Sequence, residues 1–304
     1  MEPFAPAKCI LVGEHAVVYG KKGISIPLEK LTTVSIHGNG GKGLVIKTEG
    51  KLSAKQISYL KTLIKLILKD MKKEVPNVEV CIKTQIEAGV GCGMSASISA
   101  ALIRAFFRYF GLFLDRGKLF ELTGKLEKMN HGNPSGIDHH TILRHKPLVF
   151  RKNKKSIEYK CVPRIMKSDL WKNCYLINTG KPKESTKEMV EFVAKNYKKS
   201  PKKHEKIFDE MELLVPKIQK ALNTNDEKSF KNIVNTAGKL LEKLGVVSKK
   251  AQKIIDAVRL ESGACKVSGA GGKSGASGML FLYLEEGKLL RSLRKEYEVY
   301  EIKD

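Results

Sequence analysis

The chain has 304 residues, of which 42% are hydrophobic and 29% charged, a balance typical of folded globular proteins and sufficient for two domains. No run approaches the roughly 20 apolar residues of a membrane span, and the first apolar run, Cys9–Val12, is too short for a secretory signal. Six scattered cysteines without zinc-like spacing fit reduced thiols. We therefore expect a cytoplasmic protein with no membrane partner.

The formal net charge of +24 at first suggests a nucleic-acid partner. However, 47 of the 56 basic residues are lysine and only nine are arginine, the side chain that forks onto phosphates and base edges. The densest cluster, residues 195–206, has a single aromatic ring, Tyr197, where single-strand binders interleave several. We interpret the charge as a solvated, lysine-rich surface with some attraction for anionic substrates, and we do not expect nucleic acid as the partner.

The first half of the chain combines short predicted strands with longer predicted helices. The predicted strands cover 10–18, 23–28, 32–36, 44–48 and 78–86, and the predicted helices cover 53–73, 95–110 and 116–129. The first helix has apolar residues at helical spacing and Ser53 as its candidate N-cap. The segment GNGGKG (38–43) predicts a hairpin-like turn between the strands on either side of it.

A lysine-rich stretch around 152–172 separates the two halves, and we place a domain boundary within it. Beyond this stretch the predicted strands cover 174–178, 264–267, 279–284 and 297–302, and the predicted helices cover 185–197, 204–222, 227–244, 248–261 and 287–296. Strands and helices mixed without a regular alternation indicate a small α+β sandwich.

Glycines lead into the helix predicted at 95–110, in the stretch AGVGCGMSAS (88–97). The weaker Rossmann form, G-x-G-x-x-A, fits Gly91–Ala96, but its acidic partner would be Asp115, which stands between two helices and not at the end of a strand. A Walker A ending occurs at 272–274, but the first glycine that this motif requires is replaced by Val267. Neither standard phosphate motif is complete.

Glycines at a helix start leave backbone N–H groups and the positive end of the helix dipole pointing at one spot, which favours an anion. On its own this stretch is equally compatible with tight packing between a strand and a helix. A second glycine-rich loop, GAGGKSGASG, covers 269–278, and the turn HGNPSGID (131–138) delivers the carboxylate of Asp138. Two loops of a size to hold phosphates, together with a carboxylate held by a rigid turn, are the kind of set that phosphoryl transfer requires.

Four segments then resemble one family. Residues 6–20 (PAKCILVGEHAVVYG) resemble the first motif of mevalonate kinases, within the galactokinase, homoserine kinase, mevalonate kinase and phosphomevalonate kinase (GHMP) superfamily. Residues 89–97 resemble the second motif, G-A-G-L-G-S-S-A, and residues 265–272 resemble the third. Residues 131–138 are similar to the segment H-G-N-P-S-G-[IV]-D of mevalonate kinases. The resemblance covers essentially the whole chain, with phosphomevalonate kinases as the nearest relatives to be distinguished.

The resemblance implies a two-domain α+β fold of the GHMP kinase type. Its N-terminal domain, ribosomal-protein-S5-domain-2-like, would cover 1–165, and its ferredoxin-like C-terminal α+β domain would cover 166–304. It further implies a kinase that uses ATP as phosphoryl donor, Mg²⁺ as cofactor and mevalonate as acceptor, with 5-phosphomevalonate as product in isoprenoid precursor synthesis. A homodimer is compatible with it.

Carried over by position, the resemblance implies a role for each motif residue. Asp138 would accept the proton of the substrate hydroxyl or orient that hydroxyl, and Lys8 would lie beside the carboxylate and steady the charge on oxygen. Glu14 and His15 would line the mevalonate pocket. Ser95 and Glu127 would hold Mg²⁺. The residues implied for binding ATP are Gly89, Gly91, Cys92, Gly93, Met94, Ser95, Ala96, Gly269, Ala270 and Gly271.

Without the resemblance, each residue has an ordinary structural interpretation. Glu127 would be a surface ion-pair partner of neighbouring lysines, Lys8 a lysine at a strand edge, and His15 a structural histidine. The remaining histidines near the turn would be turn and surface residues: His131, His139 and His140.

Three features depart from the family pattern. Met94 stands where the first serine of a Ser-Ser pair is usual, Cys92 replaces the usual leucine, and the third loop carries Lys273 within its glycines. Lys273 would either contact phosphate or point to solvent. Two other functions remain open: a kinase of another small alcohol in the same superfamily would need the same residues, whereas a basic nucleic-acid-binding protein rests on the charge alone.

Overall fold

The computed structural model describes residues 2–49, 54–87, 89–131, 135–153 and 156–302. The strands are β1 (Phe4–Val12), β2 (Gly23–Gly38), β3 (Leu44–Thr48), β4 (Val78–Thr84), β5 (Leu148–Lys152), β6 (Ile157–Cys161), β7 (Cys174–Asn178), β8 (Ala264–Ser268), β9 (Met279–Tyr283) and β10 (Glu298–Glu301). The α-helices are α1 (Ala54–Asp70), α2 (Met94–Tyr109), α3 (Arg116–His131), α4 (Ile137–Arg144), α5 (Thr186–Lys199), α6 (Pro201–Thr224), α7 (Glu227–Leu244), α8 (Lys249–Leu260) and α9 (Lys288–Glu296).

The chain forms two compact units, each assembled from segments that are distant in sequence. Unit 1 comprises Met1–Ala7, Lys30–Glu87 and Gly93–Arg144. Unit 2 comprises Lys8–Glu29, Ala88–Cys92 and His145–Asp304. Strands β1 and β2 each contribute residues to both units. The predicted boundary between 165 and 166 stays a prediction.

In unit 1 strand β4 lies between two partners. It pairs in parallel with β3, with Leu44 opposite Val78, and antiparallel with the second half of β2, with Val34 opposite Ile82. The hairpin predicted around 38–43 is therefore wrong, because β3 pairs with β4 and not with β2. Helix α1 connects β3 to β4, and such a crossover is what lets two successive strands pair in parallel.

The core of unit 1 forms between this sheet and its helices. Helix α1 buries its apolar residues on one face, as the helical spacing predicted, while the predicted N-cap Ser53 lies outside the described residues. Helix α2 is buried along most of its length, and α3 and α4 pack against it. The buried residues of α1 are Leu60, Leu63, Ile64, Ile67 and Leu68.

In unit 2 an antiparallel sheet has the order β10-β7-β9-β8. Helices α7 and α8 pack against β8, and α6 packs against α7. Helix α7 has the predicted bounds because both of its ends are capped: the carboxylate of Asp226 accepts from the Ser229 N–H, and Gly245 follows in a left-handed conformation. Strand β7 also has its predicted bounds.

Several sequence predictions in unit 2 need correction. The strand predicted over 10–18 ends at Val12, and a 3-10 helix covers Ala16–Tyr19. Strand β2 is one strand of 16 residues where two were predicted, because residues 29–31 continue the extended chain. The lysine-rich stretch contains strand β6, which pairs antiparallel with β5 and was not predicted. Most residues of β6 are exposed, so this strand gave no apolar signal. Among the helices described, none has the length and apolar character of a membrane span.

Candidate active site

The first group of candidate residues lies at the start of α2 in unit 1. Gly93 occupies the N-cap position with φ of +69° and has no side chain to cap the helix, so the first-turn N–H groups are not satisfied from that position. Ser95 follows in the first turn. Its hydroxyl donates to the carboxylate Oε1 of Glu127 at 2.6 Å and lies 3.4 Å from the hydroxyl of Tyr59. The structure thus brings Ser95 and Glu127 together.

Glu127 is 2% exposed on α3, which excludes its interpretation as a surface ion-pair partner. A buried carboxylate in contact with a hydroxyl can hold a divalent cation, and Mg²⁺ in particular takes one or two protein ligands and completes its shell with water and phosphate oxygens. The described residues contain no group of three or more His, Cys, Asp and Glu side chains that could hold a metal ion. The sparse donor pair of Ser95 and Glu127 fits Mg²⁺ bound together with a nucleotide.

Asp138 lies in the first turn of α4 and is partly exposed. Helices α2, α3 and α4 pack against one another, so Ser95, Glu127 and Asp138 stand on three mutually packed helices. The chain places one hydroxyl and two carboxylates within one helical layer of unit 1. Most of the preceding turn, residues 132–134, lies outside the described residues.

Two histidines follow Asp138 on α4, and their rings lie 4.7 Å apart. His140 is buried, so its interpretation as a turn or surface residue is wrong. Burial lowers the pKa of His139 to about 4 and that of His140 to about 3, so both imidazoles are neutral near pH 7. The side chain of His131 lies outside the described residues.

Lys8 lies in the part of β1 that belongs to unit 2 and is 2% exposed, so it is not a solvated edge lysine. Its ammonium donates to the carbonyl of Gly91 at 3.1 Å, and its backbone N–H donates to the carbonyl of Cys92 at 3.0 Å. Lys8 is thereby fixed to the glycine loop that leads into α2.

Glu14 and His15 lie in the turn after β1, and both contact the segment around the third motif in unit 2. The carboxylate of Glu14 accepts from the ammonium of Lys266, and both side chains are fully buried. The Nε2 of His15 lies 3.0 Å from the carbonyl of Ala270. Since a carbonyl can only accept, Nε2 carries the proton and Nδ1 is free to accept. Burial lowers the pKa of His15 to about 4.

The two glycine-rich loops in unit 2 meet backbone to backbone. A Cβ atom on Gly91 would lie 2.7 Å from the carbonyl oxygen of Ser268, and one on Gly269 would lie 2.9 Å from that of Gly91. The N–H of Met279 donates to the carbonyl of Val90 at 2.8 Å. Part of the reason for the glycines is therefore that each loop approaches the other. This contact holds the two loops together as one surface.

The positions that depart from the family pattern are mostly packed into the protein. Met94 is 4% exposed and Cys92 is 1% exposed. The ammonium of Lys273 lies over the ring of Phe192, 4.5 Å from its centroid, and its backbone N–H donates to Glu184. Lys273 is exposed, as one of its two predicted roles requires, and its ammonium also has a partner within the protein.

Comparisons with known proteins identify the family. Residues 58–144 match the family described as GHMP kinases N terminal domain. The mevalonate kinase of Pyrococcus horikoshii is 32% identical over 296 residues, which cover 88% of this chain and 85% of that protein. The mevalonate kinase of Thermococcus sibiricus is 32% identical over 297 residues with the same coverage. The chain belongs to the mevalonate kinase family.

The crystal structure of the Methanococcus jannaschii mevalonate kinase matches this chain with a TM-score of 0.80 and 25% identity, covering 100% of this chain and 98% of that one. The two-domain α+β GHMP kinase fold expected from the sequence is therefore confirmed. The family membership also agrees with the motif residues from both ends of the chain.

Two residues of the site were missed by the sequence analysis. Lys266 stands in β8, where each of the five residues is buried, and a lysine within such a strand signals a buried ionic partner. Tyr59 on α1 gave no such signal, because a tyrosine at an apolar helix position is ordinarily part of the core. Its contact with Ser95 depends on the packing of α1 against α2.

Proposed function

We propose that this chain is a mevalonate kinase, an enzyme that transfers the γ-phosphoryl group of ATP to the 5-hydroxyl of mevalonate and yields 5-phosphomevalonate and ADP. The observation that carries the proposal is that Ser95, Glu127 and Asp138 stand on three mutually packed helices, with the Ser95–Glu127 contact at the uncapped start of α2. The choice of mevalonate as acceptor follows from the mevalonate kinases to which the chain is similar over most of its length.

In this proposal Asp138 accepts the proton of the 5-hydroxyl as the oxygen attacks the γ-phosphorus. A partly exposed carboxylate on a short helix can meet a substrate from solvent. Lys8 supplies positive charge for the developing charge on oxygen, and its bonds to Gly91 and Cys92 fix the ammonium to the phosphate loop. Phosphoryl transfer depends mainly on such positioning and charge neutralisation.

The phosphates of ATP would be bound by the two glycine loops, whose backbones approach each other at Gly91 and Gly269. Backbone N–H groups at the uncapped start of α2 favour the phosphate charge. Ser95 and Glu127 would hold Mg²⁺, which supplies charge neutralisation to the phosphates when bound. The neutral His15 leaves Nδ1 to accept from a substrate hydroxyl.

The test is ADP release with Mg²⁺ and ATP, using mevalonate, 5-phosphomevalonate, homoserine and galactose in parallel, with phosphorus NMR on the product. We expect turnover of mevalonate to a 5-phosphomonoester. The variant Asp138→Asn should lose most of the activity while its thermal unfolding stays close to the wild type. Asp256→Asn, at an exposed carboxylate on α8, is the matched control and should keep full activity.

The panel separates the alternatives. If the protein phosphorylates only one of the other three compounds, the kinase activity is retained in the proposal and the acceptor is changed. Turnover of none, or full activity in Asp138→Asn, would contradict the proposal.

A further inference from the structure

A lysine outside the recognised motifs lies over the first glycine loop. Lys181 follows β7 in unit 2, and its side chain is exposed. A Cβ atom built on Gly89 would lie 3.0 Å from Cε and 3.6 Å from Nζ of Lys181. The stem of Lys181 therefore covers the space that Gly89 leaves open, and its ammonium lies at the surface of the loop.

The backbone next to Lys181 is held firmly where the two glycine loops meet. Thr179 donates from both its N–H and its hydroxyl to the carbonyl of Gly278, at 3.0 and 2.7 Å. The N–H of Gly278 donates back to the carbonyl of Gly180 at 3.2 Å. A Cβ on Gly278 would lie 2.5 Å from the carbonyl oxygen of Val90. The backbone directly before Lys181 is therefore fixed by hydrogen bonds at the place where the two loops meet.

The ammonium of Lys181 has no carboxylate partner among the residues that the structure describes. Two neighbouring lysines do have partners, although neither partner is a carboxylate. Lys250 donates to the carbonyl of Thr179 at 3.1 Å, and Lys273 lies over the ring of Phe192. A cation that is anchored at its backbone and unpaired at its tip is available to a ligand with negative charge.

We infer that Lys181 is a further nucleotide-binding residue, whose ammonium contacts a phosphate oxygen of ATP bound on the Gly89–Cys92 loop. The inference rests on the proposed function, since that function supplies the phosphate. Because Gly89 has no Cβ atom, the side-chain stem of Lys181 can pack against the loop. A glycine at this position therefore allows the lysine contact as well as the backbone conformation. The side-chain stem of Lys181 lies on the loop of the second motif, which the proposed function assigns to ATP. We therefore expect its ammonium to contact a phosphate of ATP and not the carboxylate of mevalonate.

The test measures nucleotide affinity by calorimetry in the absence of mevalonate, with ATP and with adenosine as probes. The variant Lys181→Met should weaken ATP by roughly tenfold, the size expected for one hydrogen bond to a charged group. Adenosine should bind the variant and the wild type equally, since it carries no phosphate. The loss should shrink at high salt because an exposed contact is screened. Lys181→Arg should keep most of the affinity.

The matched control is Lys217→Met, an exposed lysine on α6, which should leave ATP affinity unchanged. Equal ATP affinity in Lys181→Met and wild type, or an equal loss for adenosine, would overturn the inference. A change confined to the KM for mevalonate would overturn it as well. A wild-type chain that binds no ATP would contradict the proposed function itself, which distinguishes the two failures.

Discussion

The ammonium of Lys266 and the carboxylate of Glu14 form an ion pair that is fully buried within unit 2. Lys266 also donates to the carbonyls of Ile10 at 3.2 Å and Val267 at 2.8 Å, so all three of its N–H donors have acceptors. The second oxygen of Glu14 is buried without a hydrogen-bond partner among the described residues. The pair joins the end of β1 to β8, directly before the loop that contacts His15.

Removing one member of this pair should cost far more than removing both. In Lys266→Met the carboxylate of Glu14 is left buried and uncompensated, which should lower the free energy of unfolding by about 3–5 kcal/mol. The double variant Lys266→Met with Glu14→Leu replaces both charged groups by apolar side chains and should recover much of that loss. Urea unfolding of the wild type, both single variants and the double variant gives the coupling energy.

The comparison is Lys21→Met, which breaks contacts to Glu205 and Asp209 at the surface. Because those carboxylates are about half exposed, the cost there should be about 0–1 kcal/mol. Equal costs for Lys266→Met and Lys21→Met, or a double variant with the summed loss, would show that the buried pair is not a coupled unit.

A second prediction concerns the contact between Ser95 and Glu127. Glu127→Gln keeps the shape of the side chain and an acceptor for the Ser95 hydroxyl, but it removes the charge. If this pair holds Mg²⁺, kcat should fall by roughly 10²-fold or more, as for loss of a group that stabilises transition-state charge. The Mg²⁺ concentration needed for half-maximal activity should rise. Both are measured from initial rates at saturating ATP and mevalonate.

Glu121→Gln is the matched control, because Glu121 lies on the same helix, is about half exposed and pairs with Lys125. It should leave both kinetic quantities near the wild type. A Glu127→Gln enzyme with unchanged Mg²⁺ dependence would remove Glu127 from the metal site, whatever its effect on kcat.

Buried histidines give the third prediction, which concerns pH. In the folded chain the pKa of His15 is about 4 and that of His140 about 3, chiefly because burial disfavours the charged ring, against 6.5 as the ordinary value. Below pH 6.5 the unfolded chain therefore binds protons that the folded chain does not. This contribution to stability is complete above pH 6.5 and is lost as the pH falls to about 4 for His15 and about 3 for His140.

The free energy of unfolding should thus decrease between pH 6.5 and 4, with each histidine contributing a slope of at most about 1.4 kcal/mol per pH unit. The measurement is urea unfolding at several pH values. His140→Gln should have a shallower slope than the wild type over this range. His37→Gln, at an exposed position of β2, should keep the wild-type slope. Parallel curves for His140→Gln and wild type would contradict the assignment.

Local features of the fold could be predicted from the sequence, and contacts between distant segments could not. Helix α7 and strand β7 have their predicted bounds because periodicity and capping residues lie within a few positions of each other. The pairing of β3 with β4 was missed because a short glycine-rich turn is more typical of a hairpin. The choice between the two depends on how α1 packs, which no local pattern contains.

The candidate site divides in the same way. Asp138 was singled out from local sequence because a turn rich in glycine and proline precedes it, whereas Ser95 was named only by the family resemblance. The partner of Glu14 was missed because Lys266 lies 252 positions away. The sequence left the glycines of the first loop between phosphate binding and local packing of a strand on a helix, whereas the structure gives Gly91 a second constraint from the carbonyl of Ser268 in the other loop.

That second constraint gives the last prediction. Gly91 has φ of +98°, which side chains rarely adopt, and its Cβ would lie 2.7 Å from the Ser268 carbonyl oxygen. Gly91→Ala should therefore lower the free energy of unfolding by about 1–3 kcal/mol. Gly269→Ala affects the same contact from the other loop, because its Cβ would lie 2.9 Å from the Gly91 carbonyl oxygen. It should lower the free energy of unfolding by a similar amount.

Because both methyl groups push the same two loops apart, the double variant should cost less than the sum of the single variants. Gly38→Ala is the control: a Cβ there meets no atom within 4 Å, so its effect on stability should be small. Urea unfolding is measured for the wild type and the four variants, and ATP affinity measured on the same samples reports whether the loops have separated. Additive costs for Gly91→Ala and Gly269→Ala would mean that the glycines act independently, each on its own backbone conformation, and that the loops do not form a single surface.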